Sequence, residues 1–422
     1  MKFETKQIHA GHGGDHTRSV QTPVHLTTGY SFDDTEHARR LFSLEETGYI
    51  YTRLNNPTNA ALEERLAALD GGIGALAATG GHAAMVMTFM NLCSAGDEIV
   101  SASGIYGGAI NLMDKTLKQF GINFKFVDAG DPGAFERATT EKTRAYFVES
   151  IGNPLADVPD LEAISKIAKK QNVVFIVDNT MASPYLLRPI EHGADLVIYS
   201  TTKYMVGNGT VMGGAIVDAG SFDYLGDPRF PAYNTPDPSY KGLVYAEALG
   251  KAAFITKLRT HILRDIGACQ SPFNAWITLL GMETLSLRME RHSSNALAVA
   301  EFLEAHPAIE RVNYPKLKSS PYYGLAEKYL PLGAGSTFTA DLKGGREAAA
   351  KFCDGLRLLK IVANLGDLRS MVNCPALTTH SQLSDGQLLG MGIVPGSVRF
   401  SIGLENIEDI IEDLEQALKG VV

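Results

Sequence analysis

Two short apolar runs constrain the fold more than anything else in the chain. One, Val173-Val174-Phe175-Ile176-Val177, stops abruptly at Asp178-Asn179-Thr180. The other, Leu196-Val197-Ile198-Tyr199, stops at Ser200-Thr201-Thr202-Lys203. Neither alternates apolar with polar residues, and both are rich in β-branched side chains. Such runs read as strands buried on both faces, the kind found in a parallel sheet. The surrounding pattern agrees. It predicts strands at 98–100, 124–127, 143–149 and 213–217, and helices over 60–69, 109–120 and 161–170, the last capped by Asp160. This alternation implies an α/β fold: a mostly parallel central sheet with helices on both faces. In such sheets ligands bind beyond the carboxyl ends of the strands. Asp178, Ser200, Thr202 and Lys203 should therefore converge on one ligand.

An acid, two hydroxyls and an amine at one rim are the parts that hold pyridoxal 5'-phosphate. The amine condenses with the aldehyde, the carboxylate pairs with the ring nitrogen, and the hydroxyls take phosphate oxygens. Lys203 alone would read as a solvated strand end; the constellation reverses that reading. Gly80-Gly81 precedes a helical stretch, where bare backbone N–H groups approach a phosphate closely. Alone the pair is a plain turn; with Ser200 and Thr202 it becomes a phosphate cradle. Tyr106 follows the strand at 98–100 and is a candidate to stack on a ring, or simply to pack. Tyr51 and Arg53 offer a phenol and a guanidinium from the N-terminal region. Arg399 sits on a C-terminal strand. An isolated strand arginine is ordinarily a salt-bridge residue, but it is the best candidate for a bidentate clamp on an amino-acid carboxylate.

Other readings fall away. Gly72-Ile73-Gly74-Ala75-Leu76-Ala77 matches a dinucleotide fingerprint literally, yet follows a helix where that fingerprint needs a strand. His9, His12 and His16 lack the spacing of a metal site. A net charge of −9 argues against nucleic acid and anionic membranes as partners. No secretory signal or spanning segment is apparent. The four scattered cysteines fit a reducing cytoplasm.

At 422 residues the chain suits two or three domains. Residues 1–57 are Gly/Pro-containing and aperiodic, and read as an arm lying against a neighbouring subunit. Residues 58–256 form a cofactor-binding domain and 257–422 a smaller α/β substrate domain. The segment 230–240 reads as a Pro-rich loop, 244–306 as a helical run, 336–340 as a strand and 406–418 as the last helix.

Taken together, Tyr51-x-Arg53 with Asn56-Pro57-Thr58, Asp178-Asn179-Thr180, Ser200-x-Thr202-Lys203-Tyr204 and Arg399-Phe400-Ser401-Ile402-Gly403 resemble the Cys/Met-metabolism family of pyridoxal-phosphate enzymes. The likeness runs from about Thr5 to Leu418. It implies the aspartate-aminotransferase (fold type I) architecture and a homotetramer of two active-site dimers. It implies that Lys203 carries the cofactor, Asp178 faces the ring nitrogen, Tyr106 stacks on the ring and Asn153 lies by the ring hydroxyl. Gly80, Gly81, Ser200 and Thr202 would take the phosphate, joined by Tyr51 and Arg53 of the adjacent subunit. Arg399 and Asn364 would hold the substrate carboxylate. Lys203, Tyr106 and Tyr51 are the implied proton-transfer groups.

Within the family, the stretches 242–248, 253–257, 263–269 and 283–288, together with Asn364-Leu365-Gly366-Asp367, look most like the O-acetylhomoserine sulfhydrylase branch. That branch implies γ-replacement of acetate by sulfide or methanethiol, in methionine biosynthesis. A thiocarboxylated carrier protein is a further possible sulfur donor. Methionine γ-lyase and cystathionine γ-synthase are the neighbouring alternatives, and a non-catalytic regulatory protein on the same fold is the alternative of another class. Two residues depart from the branch pattern: His82 stands where glutamine is frequent, and Cys374 where histidine is.

Overall fold

The computed structural model of the chain describes residues 1–13, 17–378, 381, 384–390 and 392–421. His16 lies outside them. Seven strands build the larger sheet: β1 (Gly74–Ala78), β2 (Glu98–Ala102), β3 (Asn123–Val127), β4 (Thr143–Glu149), β5 (Val174–Asp178), β6 (Leu196–Tyr199) and β7 (Gly214–Asp218). Their spatial order is β1-β7-β6-β5-β4-β2-β3. Only β7 runs against its neighbours; the other six point one way. Every residue of β5 and β6 is buried, which is why neither run shows polar alternation. The register pairs Glu149 with Asp178 and Asp178 with Ile198, so the carboxyl ends of β4, β5 and β6 lie together.

Helices cover this sheet. Gly81–Leu92 packs on β1, β6 and β7, and Leu161–Gln171 packs on β5. Asp160 caps the latter as expected, its carboxylate accepting from Ala163 N at 3.1 Å. Pro57–Asp70 ends at Gly71 with a positive φ of 83°, the left-handed stop that a glycine supplies.

Three expectations need correction. The helix over 109–120 is three pieces: an α turn at Gly107–Asn111, a π turn at Leu112–Thr116 and a 3-10 turn at Leu117–Phe120. Apolar spacing fixes which face is buried, not which carbonyl each amide finds. The Pro-rich loop over 230–240 contains short helices at Pro231–Asn234 and Pro238–Tyr240. Proline suits a first helical turn, where its missing N–H costs nothing. The helical run over 244–306 is broken between Ile266 and Pro272, at Gly267.

A second sheet follows, with order β10-β11-β12-β9-β8. Its strands are β8 (Ile309–Asn313), β9 (Thr337–Leu342), β10 (Lys360–Ile361), β11 (Met371–Asn373) and β12 (Ser397–Ser401). The long helix Leu285–Ala305 packs against β8 and against the last helix, Ile407–Lys419. That last helix carries Glu408 and Asp409 in its first turn and Lys419 in its last, as its dipole favours. Among the described residues, no helix is long and apolar enough to cross a membrane.

Candidate active site

A cavity of about 470 Å³ opens beyond the carboxyl ends of β4, β5 and β6. Asp178, the last residue of β5, forms part of its wall and is buried. Its Oδ1 accepts from Thr180 N at 2.9 Å. Burial pushes the Asp178 carboxyl above its ordinary value, and the Thr180 hydrogen bonds partly offset that. A buried carboxylate of this kind is completed by a cation facing it.

The chain turns after β6, and the turn brings Ser200, Thr202 and Lys203 to the same cavity. Ser200 N donates to Thr180 Oγ1 at 2.8 Å, tying this turn to the end of β5. Thr202 Oγ1 accepts from Gly213 N at 3.0 Å. Gly80 and Gly81 stand opposite, at the N-terminus of Gly81–Leu92, where no side chain caps the free N–H groups. A Cβ on Gly81 would lie 2.8 Å from Ser200 Cβ, so the helix start and the hydroxyl-bearing turn meet only because this residue is glycine.

Lys203 Nζ donates to Asn364 Oδ1 at 2.6 Å. Burial lowers the lysine to about 8, and the nearby Arg399 charge adds to this. Arg399, on β12, is itself buried and donates from Nη2 to Asn364 O at 3.0 Å. Burial holds this guanidinium below its ordinary value as well.

Tyr106 and Asn153 also line the cavity. Tyr106 N donates to Glu149 Oε1 at 2.8 Å, and Asn153 N to Glu149 Oε2 at 3.1 Å. Glu149 was not singled out from the sequence, although it ends a legible strand beside Asp178 in register. Burial and the Asp178 charge drive its carboxyl well above the ordinary range. Met85, Met181, Met212 and Leu365 supply apolar wall that no motif announced. His82 lines the cavity too, its ring edge-on to Tyr106 with centroids 5.8 Å apart. Cys374 does not; it is buried with its Sγ 3.2 Å from Cys353 Sγ.

Ten of the residues singled out from the sequence thus share one cavity: Gly80, Gly81, Tyr106, Asn153, Asp178, Ser200, Thr202, Lys203, Asn364 and Arg399. Tyr51 and Arg53 do not line it. Tyr51 is exposed, and the Arg53 guanidinium sits 5.4 Å from its ring centroid and donates to Arg264 O.

The donor set fits pyridoxal phosphate. A helix N-terminus and two hydroxyls suit a phosphate, a buried acid suits a ring N–H⁺, and a lysine lowered to about 8 suits condensation with an aldehyde. The model of the Cys/Met metabolism PLP-dependent enzymes matches residues 4–419. An O-acetyl-L-homoserine sulfhydrylase from Leptospira meyeri is 49% identical, over 100% of this chain and 97% of its own length. A homocysteine synthase from Schizosaccharomyces pombe is 46% identical, over 99% and 98%. The fold superposes with a TM-score of 0.97 on a crystal structure from Campylobacter jejuni subsp. jejuni assigned as an O-acetylhomoserine (thiol)-lyase. That structure carries N'-pyridoxyl-lysine-5'-monophosphate, is 41% identical, and is matched over 99% of this chain and all of its own. With a fold type I architecture, a cavity built for the cofactor and a family match along nearly its whole length, the chain belongs to the Cys/Met metabolism PLP-dependent enzymes, and its cofactor is pyridoxal 5'-phosphate.

Proposed function

We infer that the chain catalyses γ-replacement on O-acetyl-L-homoserine, sulfide or methanethiol displacing acetate to give homocysteine or methionine. The observation that carries this reading is the Lys203–Asn364–Arg399 link, which sets a carboxylate clamp beside the amine in a cofactor-sized cavity. The sulfhydrylase and homocysteine synthase relatives support the choice of substrate.

Bound pyridoxal phosphate supplies an electron sink for the pair left at Cα. The remaining work falls to the chain. Arg399 and Asn364 hold the substrate carboxylate. Lys203, lowered to about 8, is partly neutral near pH 7 and takes the Cα proton, then moves it. Asp178 keeps the ring nitrogen protonated. Gly80, Gly81, Ser200 and Thr202 hold the phosphate, while Tyr106 lies on the ring and Asn153 by its hydroxyl. Tyr106 and Tyr51 of the partner subunit hold a proton near Cγ, where acetate departs and sulfide adds. The apolar wall of Met181, Met212 and Leu365 keeps water from competing.

Tyr51 and Arg53 lie outside their own cavity, and arm residues Val20 and Leu26 are largely exposed. Both facts suit an arm, residues 1–57, that completes a neighbour's site within a homotetramer of active-site dimers. We assign residues 58–256 to cofactor binding and 257–422 to the substrate domain. The four cysteines carry no disulfide, which suits the cytoplasm.

The deciding experiment is competition at fixed O-acetylhomoserine with saturating sulfide, methanethiol or a thiocarboxylated carrier protein, products separated. Homocysteine, or methionine in the methanethiol arm, should form much faster than 2-oxobutyrate. About 1.4 kcal/mol separates each tenfold in that ratio. Dominant 2-oxobutyrate and ammonia, or faster cleavage of methionine, would establish a γ-lyase instead.

A further inference from the structure

One carboxylate holds two loops that are distant in sequence. Glu149 Oε1 accepts from Tyr106 N at 2.8 Å, and Glu149 Oε2 accepts from Asn153 N at 3.1 Å. Tyr106 belongs to the loop after β2, Asn153 to the loop after β4. Glu149 is buried, lines the cavity, and ends β4 directly beside Asp178 of β5. Its backbone position is thus fixed by the same strand pairing that fixes Asp178.

The choice of glutamate has a chemical reason. Two N–H groups approach from two directions, and each needs an acceptor. An ionised carboxylate offers an acceptor at both ends. Glutamine offers one and would turn its own NH₂ toward the second N–H. Aspartate offers two, but one methylene closer to β4, out of reach of one loop. Among the described residues, no ion pair to Glu149 is seen. Burial beside Asp178 also makes its charge costly, as its raised carboxyl reflects. Charge pairing therefore does not account for the residue; the two backbone contacts do.

We propose that Glu149 is a positioning residue that sets Tyr106 and Asn153 relative to each other, and so the fit of the corner that meets the cofactor ring at its face and at its hydroxyl. This rests on the ring contacts given under the proposed function, Tyr106 on the ring face and Asn153 by the ring hydroxyl. In this role Glu149 acts through the two residues it ties.

The test is a set of holoenzymes: Glu149→Gln alone, Tyr106→Ala with Asn153→Ala, and all three together. Two readouts are followed: the rate of pyridoxal phosphate loss on dilution, from visible absorbance, and the visible circular dichroism of the bound cofactor. Glu149→Gln should speed loss by about tenfold to a hundredfold, the range for a buried donor left without its acceptor, and should weaken the visible dichroism. In the Tyr106→Ala, Asn153→Ala background both backbone N–H contacts remain but the side chains they position are gone, so the same substitution should change the rate by less than about threefold. An equal effect in both backgrounds, or an unchanged dichroism in Glu149→Gln, overturns the proposal while leaving the ring placement standing. If Tyr106→Ala with Asn153→Ala loses cofactor no faster than the native protein, the ring placement fails and the proposal with it. Should Glu149→Gln not fold, Glu149→Asp, which keeps the charge and one contact, is read by the same criteria.

Discussion

Lys203 and Asn364 join the two halves of the site across the gap between the two sheets. The lysine amine donates to the asparagine side chain at 2.6 Å, while the asparagine main-chain oxygen accepts from Arg399 on β12. Lys203 and Arg399, the proposed proton-moving group and carboxylate clamp, are therefore held by one residue.

That arrangement has a pH signature. Burial, then Arg399, brings Lys203 from an ordinary 10.5 to about 8. Between those values the folded chain binds fewer protons than the unfolded one. The cost to stability is thus fully present below about pH 8 and is relieved as pH rises toward 10.5. Only the neutral amine condenses with an aldehyde. Capture of pyridoxal phosphate by cofactor-free protein should therefore accelerate about tenfold per pH unit below the inflection, then level off. Stopped-flow absorbance measures this. Arg399→Gln should move the inflection upward; an unmoved inflection would remove Arg399 as a cause.

Gly81 sets the distance between the helix N-terminus and Ser200. In Gly81→Ala the new Cβ meets Ser200 Cβ at 2.8 Å and Cα at 3.1 Å, so one side must shift. The phosphate cradle is then spread, and affinity for pyridoxal phosphate should fall by about tenfold or more, on the order of 1–3 kcal/mol. Equilibrium titration of cofactor-free protein checks it. Native affinity would mean that the phosphate lies elsewhere.

Arg53 and Lys203 provide the test of assembly. Neither Arg53→Ala nor Lys203→Ala should be active alone. Mixed subunits should regain about a quarter of native activity, since half the random dimers are mixed and each has one intact site. No recovery, with mixed dimers demonstrated by mass, would place Arg53 in service of its own subunit.

Much of this was legible because the chemistry sits where strong local signals end. The β5 and β6 runs are buried on both faces, so Asp178 and the Ser200–Lys203 turn are marked by an abrupt change of polarity. β1 was not legible. Gly74-Ala75-Leu76-Ala77-Ala78 has no β-branched residue and overlaps the discounted fingerprint match over 72–77, yet pairing with β7 makes it a buried strand. Glu149 was missed because its partners arrive through loops, one of them 43 residues away. Cys353 and Cys374 are 21 residues apart and meet only when the helix Gly345–Gly355 packs against the second sheet. Sequence spacing carries no trace of either meeting.

Asp413 offers a way to separate folding from substrate placement. It lies on Ile407–Lys419, is buried, and accepts from three successive backbone amides: Arg357 N at 2.8 Å, Leu358 N at 2.9 Å and Leu359 N at 3.0 Å. Those amides lead directly into β10 and on to Asn364. Without the carboxylate, three N–H groups lose their partner. Asp413→Ala should therefore lower stability by about 2–4 kcal/mol, read from the shift in denaturant midpoint. Asp413→Asn keeps one acceptor oxygen and should lose less. Because the loosened segment carries Asn364, which bonds both Lys203 and Arg399, KM for O-acetylhomoserine should rise several-fold in Asp413→Ala and kcat should fall with it. A stability loss with native KM would show that β10 and Asn364 are held independently of the C-terminal helix.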